Sequence, residues 1–229
     1  MAIVTIDSAT TVPPPKARPE CLLGVLVEWG STWMWDSLRM VGDDNWIEES
    51  ICAGTCHAVT GCSYTKDLYP DMCSAAFVLE YTEGRGMIVG SFLKSSTQVY
   101  KYRGERLGLM AIHIIILVAN KVDTELRVQV TIYSDCLGAL TRVITFPANR
   151  SPTRCKHSDI PKNIMVHSQD LMFKCAYSHV KTYKDENRFF QKLEQIMQLN
   201  CLLDKDANNV IWGWRDFNRH LRISSHWNQ

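Results

Sequence analysis

The sequence has no hydrophobic run long enough to cross a lipid bilayer. Its longest apolar segment lies between Ile112 and Ala119, whereas a membrane-spanning helix needs about 20 predominantly apolar residues. The N-terminus also lacks a basic segment followed by an apolar stretch, so we expect no signal peptide. We therefore expect an intracellular protein, of the cytoplasm or nucleus, with no membrane partner.

A disulfide framework is missing as well. The nine cysteines are an odd number without the spacing of paired cysteines, which indicates reduced thiols. Cys52, Cys56, His57 and Cys62 lie near one another in the sequence, but a Cys-x3-Cys pair beside one His matches no common zinc module. We interpret these thiols as buried or incidental.

The chain also has little net charge, since its formal value is +1. That average hides an asymmetry. Residues 20–50 hold seven Asp and Glu against one Arg, and residues 142–188 hold nine Lys and Arg against four Asp and Glu. The basic half is either a surface for phosphates or a solvated face, and charge alone does not separate these readings.

With 229 residues, 46% of them hydrophobic and 21% charged, the chain is typical of one globular domain with appendages. We expect residues 1–20 to be a disordered, proline-containing leader. Residues 21–56 are acidic and rich in Trp, and predict an irregular arm that packs onto something larger. Regular patterns fill residues 57–210, and residues 211–229 are expected to be a C-terminal tail.

The regular region predicts an α/β fold. Its first three strands are separated by short turns, which indicates an antiparallel meander. A helix follows, and it allows the fourth strand to lie parallel to the first by a crossover. The prediction is a five-stranded mixed sheet, a three-strand antiparallel meander plus two parallel strands, flanked by helices. The strands are placed at 57–64, 74–81, 86–93, 127–134 and 171–181, and the helices at 102–121, 136–144, within 157–169, and from 187 to about 210.

Three acidic residues lie at positions where folding alone would not favour a carboxylate. Glu105 shares a predicted helix face with Leu109 and Ile112, and Asp204 lies on an apolar stripe of the last helix. Asp135 directly follows the fourth strand, at the kind of strand end where ligands gather in open α/β sheets. A carboxylate buried without a partner is costly to ionise. The three residues therefore suggest a shared divalent metal site.

Each of the three also has a structural interpretation. Asp135 precedes a helix and would serve as its N-cap. Glu105 in a first helical turn would interact favourably with the helix dipole. Asp204, beside Lys205, would lie on a solvated face if the helix phase differs by one residue.

Five segments in order resemble the ribonuclease H-like domain of retrotransposon reverse transcriptase polyproteins. They are Ala58–Tyr64, Tyr102–Leu109, Ile132–Leu140, Ser178–Asp185 and Gln198–Asp204. Upstream, Ser31-Thr-Trp-Met-Trp-Asp and Gly42-Asp-Asp-Asn-Trp are similar to the segment that precedes this domain in such polyproteins.

The resemblance implies a two-metal nuclease that cuts the RNA of RNA–DNA hybrids. Glu105, Asp135 and Asp204 match the second, third and fourth acidic positions of the family, and Mg²⁺ or Mn²⁺ is the expected cofactor. An RNA–DNA hybrid and a reverse transcriptase domain are the expected partners. Contacts to nucleic acid are expected from Ser63, Lys174, Lys181 and Lys184.

The first acidic position is where the chain departs from the family. Gly61 stands where the metal-bridging Asp belongs, and Cys62 replaces the Gly after it. Tyr183 takes a place usually given to His, and Arg106 beside Glu105 is atypical, though we expect it on an exposed face.

These departures predict a degenerate copy with impaired cleavage. Asp67 or Asp71 would have to reach back from a turn to substitute for the missing ligand. The alternatives are a non-catalytic nucleic-acid-binding domain and an inert remnant of a reverse transcriptase polyprotein.

Overall fold

A computed structural model describes ten segments of the chain: 22–28, 32–42, 46–67, 69–81, 86–95, 101–122, 130–145, 159–169, 175–181 and 193–226. The expected leader, residues 1–20, lies outside these segments. So do Lys174, Tyr183 and Lys184, three residues on which sequence predictions were made.

Six strands form one mixed sheet. The order is β1-β4-β3-β2-β5-β6, with β2, β3 and β4 antiparallel and with β5 parallel to both β2 and β6. The predicted meander and parallel pair are therefore confirmed. The strands are β1 Arg39–Val41, β2 Cys56–Ser63, β3 Met72–Tyr81, β4 Met87–Ser95, β5 Val130–Ser134 and β6 Cys175–His179.

The extra strand is β1, which pairs with β4 through three residues at the sheet edge. Sequence reasoning gave five strands because so short a strand has no alternation to detect.

Helices cover both faces of the sheet. They are α1 Leu22–Glu28, α2 Trp46–Cys52, α3 Lys101–Val122, α4 Leu137–Ile144, α5 Asp159–Gln169 and α6 Gln195–His226, with a 3₁₀ turn at Thr32–Met34. None of the helices in the described segments is both long and apolar enough to cross a membrane.

The helices α3 and α6 lie on opposite faces of β2. A Cβ atom placed on Gly108 of α3 would lie 2.0 Å from Thr60 Oγ1. The preceding strand residue, Val59, clusters instead with Leu203 and Ala207 of α6. Since successive strand side chains point to opposite faces, these contacts put β2 between the two helices.

The last helix is longer than predicted. We expected it to end near Val210, with a tail from 211, but α6 continues to His226. Ile211 is 1% exposed, so the buried stripe extends past the expected end. A single Gly213 lowers helix stability by about 1 kcal/mol relative to Ala, which is too little to stop a helix held by packing.

The Trp-rich arm packs onto this domain's own sheet and α3. Trp33 meets Phe92 edge to face at a centroid distance of 5.1 Å, and Trp35 meets Phe77 at 6.3 Å. Trp46 is 1% exposed. Within the described residues, the arm packs onto the sheet of the same chain. The arm is not irregular, because it contains α1, β1 and α2.

The contact between Trp46 and Gly86 gives a stability prediction. A Cβ atom at Gly86 would lie 2.1 Å from Trp46 Cγ, so Gly86→Ala must displace the indole. We expect it to lower the free energy of unfolding by about 1–3 kcal/mol, the usual cost of overpacking, in urea titrations followed by Trp fluorescence.

Gly213→Ala is the matched control. Nothing lies within 4 Å of the added methyl group, and Ala is the better helix former, so its free energy of unfolding should not fall. Equal stability of Gly86→Ala and the natural chain would show that the arm is not seated on β4 in this way.

Candidate functional site

The parallel pairing of β2 with β5 ends at the centre of the site. Thr60 of β2 pairs with Ser134 of β5, and Gly61 and Asp135 are the residues that directly follow this pair. Next to them, His179 Nε2 at the end of β6 lies 3.1 Å from the Asp135 carbonyl oxygen. The strand ends thus bring the position of the missing Asp and the third acidic residue side by side.

Glu105 lies under these strand ends, on the α3 side of the sheet. It follows Gly104, where a Cβ atom would lie 2.9 Å from Cys62 Cβ, so α3 can approach β2 closely. The Glu105 side chain is 0% exposed. Ser134 Oγ donates a hydrogen bond to Glu105 Oε2 at 3.3 Å, whereas Oε1 has no partner among the described residues.

Burial and neighbouring charge make the Glu105 carboxyl hard to ionise. Its pKa is raised to about 8, first by burial and then by the negative charge of Asp135, with a smaller contribution from Asp204. The three acidic residues predicted from the sequence therefore interact electrostatically, as a shared site requires.

Asp204 approaches from α6, on the other face of the sheet. A Cβ atom built on Gly61 would lie 3.1 Å from Asp204 Oδ1 and 3.4 Å from Leu203 Cβ. Asp204 is half-buried, so it does not belong to a fully solvated face. Gly61 consequently lies between the carboxyl group on α6 and the strand end that carries Asp135.

The other structural interpretations of these residues are wrong. The N-cap of α4 is Cys136, and no side chain caps the helix. Asp135 Oδ1 is instead buried and has no hydrogen-bond partner among the described residues. Glu105 is the fifth residue of α3, and the first turn of that helix holds no acidic residue.

Lys101 adds a positive charge that sequence analysis missed. Burial lowers its pKa, but the negative charges of Asp135, Glu105 and Asp204, together with Cys62, outweigh burial and leave the pKa raised. Its ammonium group therefore balances part of the acidic cluster. The available signal was the spacing to Glu105, since residues four apart share a helix face.

The acidic residues present do not by themselves form a metal site. Across the described segments, no group of three or more His, Cys, Asp and Glu side chains is placed to hold a metal ion. The unpartnered oxygens of Glu105 and Asp135 suit a cation, but Asp204 comes from the opposite face. The group that would lie between them is missing at Gly61. The residues of this chain therefore do not fit the expected Mg²⁺ or Mn²⁺ pair.

The substitutes considered for the missing ligand do not fill this gap. Asp67 and Asp71 are exposed in the connection between β2 and β3. Among the described residues, neither contributes to the shifted pKa of Glu105 or of Lys101.

Of the four residues expected to touch nucleic acid, two lie in the described segments. Lys181 is exposed just beyond β6. Ser63 is 7% exposed, and its hydroxyl donates a hydrogen bond to Asn208 Oδ1. Ser63 thus ties β2 to α6 and has little surface left for a substrate.

Arg106 is not on an exposed face, contrary to the sequence prediction. It is 9% exposed, because α4 packs across this side of α3. A cavity of about 560 Å³ lies there, lined by Arg106, Leu137, Gly138, Thr141, Arg142 and Thr145. Sequence analysis did not single out Arg142. It lies on α4, and it comes near Arg106 of α3 only across this cavity.

These features define a ribonuclease H-like fold. An antiparallel meander leads through a crossover helix into a parallel pair, and the acidic residues Glu105 of α3, Asp135 after β5 and Asp204 of α6 interact electrostatically at one end of the sheet. The resemblance noted from the sequence segments therefore extends to the fold.

No family model and no curated protein matches the chain. Similar solved structures include the N-terminal ribonuclease H domain of a Mycobacterium tuberculosis protein, with 10% identity, a TM-score of 0.48, and coverage of 71% of this chain and 97% of that one. The foamy virus protease-reverse transcriptase in complex with an RNA/DNA hybrid is 13% identical, with a TM-score of 0.49 and coverage of 70% and 20%. Ribonuclease H1 of Halobacterium salinarum is 13% identical, with a TM-score of 0.42 and coverage of 68% and 96%.

Proposed function

We propose that this chain is a nucleic-acid-binding domain of retroelement origin that binds RNA–DNA hybrids and has lost most or all of the ancestral cleavage. Binding would rest on hybrid shape, phosphates and 2′-hydroxyls rather than on base sequence. The retroelement origin rests on the order of the five sequence segments. In a longer polyprotein, a reverse transcriptase domain would be the neighbour.

The observation that carries the proposal is the position of Gly61. It lies in the last part of β2, directly after the residue that pairs with Ser134, and a Cβ atom there would lie 3.1 Å from Asp204 Oδ1. Glu105, Asp135 and Asp204 lie around it, but residue 61 offers no side-chain oxygen. A site in which carboxylates surround a gap supports descent from a nuclease together with loss of its chemistry.

The electrostatics point the same way. A Glu105 carboxyl with a pKa of about 8 is mostly protonated at neutral pH, so a cation would have to displace that proton in order to bind there. Lys101 already places positive charge near Asp135 and Asp204. The cluster is therefore balanced by protons and an ammonium group.

The test is to measure binding and cleavage on the same substrate. We expect the natural chain to bind a fluorescein-labelled RNA–DNA hybrid with an affinity that falls as salt rises, while gel analysis shows no cleavage in Mg²⁺ or Mn²⁺. Lys181→Gln should weaken binding and reduce the slope of log affinity against log salt by about one. Arg39→Gln, which removes a charge from the opposite sheet edge, should change the slope less.

Two results would contradict the proposal. Cleavage by the natural chain that Asp135→Asn abolishes would mean that the site works without a ligand at position 61. Affinity for the hybrid that is undetectable even at low salt would remove the binding function and leave the inert remnant as the better description.

A further inference from the structure

Arg106 carries a buried positive charge that the proposed function has not used. The side chain is 9% exposed, and its Nε has no hydrogen-bond partner in the described segments. Burying a charged donor without a partner costs folding free energy. An Nε–H left without a partner among the described residues is available to an oxygen acceptor of a bound ligand.

A second arginine faces the first. Arg142 of α4 lines the same cavity. The pKa of Arg106 is lowered chiefly by burial and next by the positive charge of Arg142. Two guanidinium groups on facing helices form the arrangement in which arginines bind phosphate, because each offers several donors in a planar fork.

Asp159, a described acidic residue near this pair, already forms an ion pair with another arginine. Arg103 donates hydrogen bonds to both carboxylate oxygens of Asp159, at 2.9 and 3.2 Å. Among the described residues, Tyr102 and Cys136 are the other titratable groups that act on Arg106, and both are weak acids. Among the described charged groups that act on Arg106 or pair beside it, Arg103 and Arg142 are cationic and Asp159 is the anion, so positive charge is in excess there.

The rim of the cavity suits a nucleotide. Leu137 is 58% exposed and Tyr102 is 52% exposed. The Tyr102 ring lies over Gly138, where a Cβ atom would be 2.8 Å from Tyr102 Cε1. An exposed aromatic ring beside paired guanidinium groups offers a stacking surface next to a phosphate site. Leu137 is also only two residues from Asp135, so the cavity adjoins the carboxylate cluster.

We propose that the cavity between α3 and α4 is a phosphate-binding site, in which Arg106 and Arg142 hold a backbone phosphate of the bound nucleic acid. The inference rests on the proposed function, because it takes a nucleic-acid strand as the ligand. Tyr102 and Leu137 then contact the adjoining sugar or base, and the strand passes beside Asp135.

The test compares Arg142→Gln and Arg106→Met with Arg39→Gln on the full chain. Both cavity variants should bind the labelled RNA–DNA hybrid about tenfold more weakly, the loss of one charge-assisted contact. Each should also lower the salt slope by about one. Arg39→Gln should do neither.

A second measurement separates a binding role from a structural one. Arg106→Met keeps a long apolar side chain and removes the buried guanidinium with its unbonded Nε, so its Tm should rise by about 3 °C although binding falls. Inorganic phosphate, compared with chloride at equal ionic strength, should raise the Tm of the natural chain more than that of Arg142→Gln.

The outcomes distinguish this inference from the proposed function. If the natural chain binds the hybrid and both cavity variants bind it equally well, the phosphate site is wrong and the proposed function stands. If the natural chain binds no hybrid but is still stabilised by phosphate through Arg142, the cavity takes a small phosphate. The nucleic-acid assignment is then overturned together with the proposed function.

Discussion

Gly61→Asp is expected to cleave RNA–DNA hybrid in Mg²⁺ or Mn²⁺ at a rate about 100-fold or more above the natural chain, because it supplies the ligand that the cluster lacks. The new Cβ would lie 3.1 Å from Asp204 Oδ1. That contact is tight by a few tenths of an ångström, and rotation of the Asp204 side chain can relieve it. The added carboxyl would also stand beside Asp135 at the end of the parallel pair.

The same change should alter stability in a way that depends on the cation. A fourth carboxyl group next to Glu105, Asp135 and Asp204 adds repulsion, so without divalent cations Gly61→Asp should have a lower Tm than the natural chain. Mg²⁺ should restore the Tm of this variant and change that of the natural chain little. Thermal melts with and without the cation measure this independently of activity.

Two controls make the result specific. Asn has nearly the same size and shape as Asp but lacks its charge. Gly61→Asn should therefore show no cleavage, and Mg²⁺ should not raise its Tm. Asp135→Asn introduced into Gly61→Asp should abolish the recovered cleavage. If Gly61→Asp shows neither cleavage nor stabilisation by Mg²⁺, the remaining acidic residues no longer form a usable metal site.

Glu105→Gln is expected to stabilise the fold at neutral and alkaline pH. The Glu105 pKa is about 8 in the folded chain, against an ordinary value of 4.5, so the folded state holds its proton more tightly than the unfolded state. Stability from this proton is present below pH 4.5 and is lost as the pH rises to 8. The loss is about 1.4 kcal/mol per pH unit, or about 3 kcal/mol by pH 7.

A glutamine at position 105 removes this dependence. Its amide stays neutral at every pH, and its oxygen can still accept the hydrogen bond from Ser134. Urea titrations at pH 5 and pH 8 should show a smaller difference in unfolding free energy for Glu105→Gln than for the natural chain. Glu49→Gln, an exposed change on α2, is the matched control and should leave the difference as it was. An unchanged pH dependence in Glu105→Gln would show that the carboxyl is not buried as described.

The parts of the fold that sequence reasoning found are those with a strong local pattern. Apolar runs in the sequence predict β2, β3 and β5, and an apolar stripe predicts α3. The crossover helix then fixes β5 parallel to β2, which places Asp135 beside Gly61. The positions of the three acidic residues followed from the resemblance, and the structure gives them a common electrostatic environment.

The parts that sequence reasoning missed depend on contacts between distant segments. Arg106 is buried because α4 packs across it, and the sequence of α3 does not indicate that contact. The charge of Lys101 matters because three acidic side chains from different elements surround it. The strand β1 has three residues and exists through its pairing with β4, and the buried Ile211 lies beyond the expected end of α6 at Val210.

The Trp-rich arm packs against residues that come later in the chain, and this has a consequence during translation. Trp33 and Trp46 emerge from the ribosome before Phe92 and Gly86, the residues that cover them. Because domains made N-terminus first cannot bury a surface until its partner exists, the arm stays uncovered until β4 has been translated. A nascent chain interrupted before that strand would present these indole rings to chaperones or to other unfinished chains.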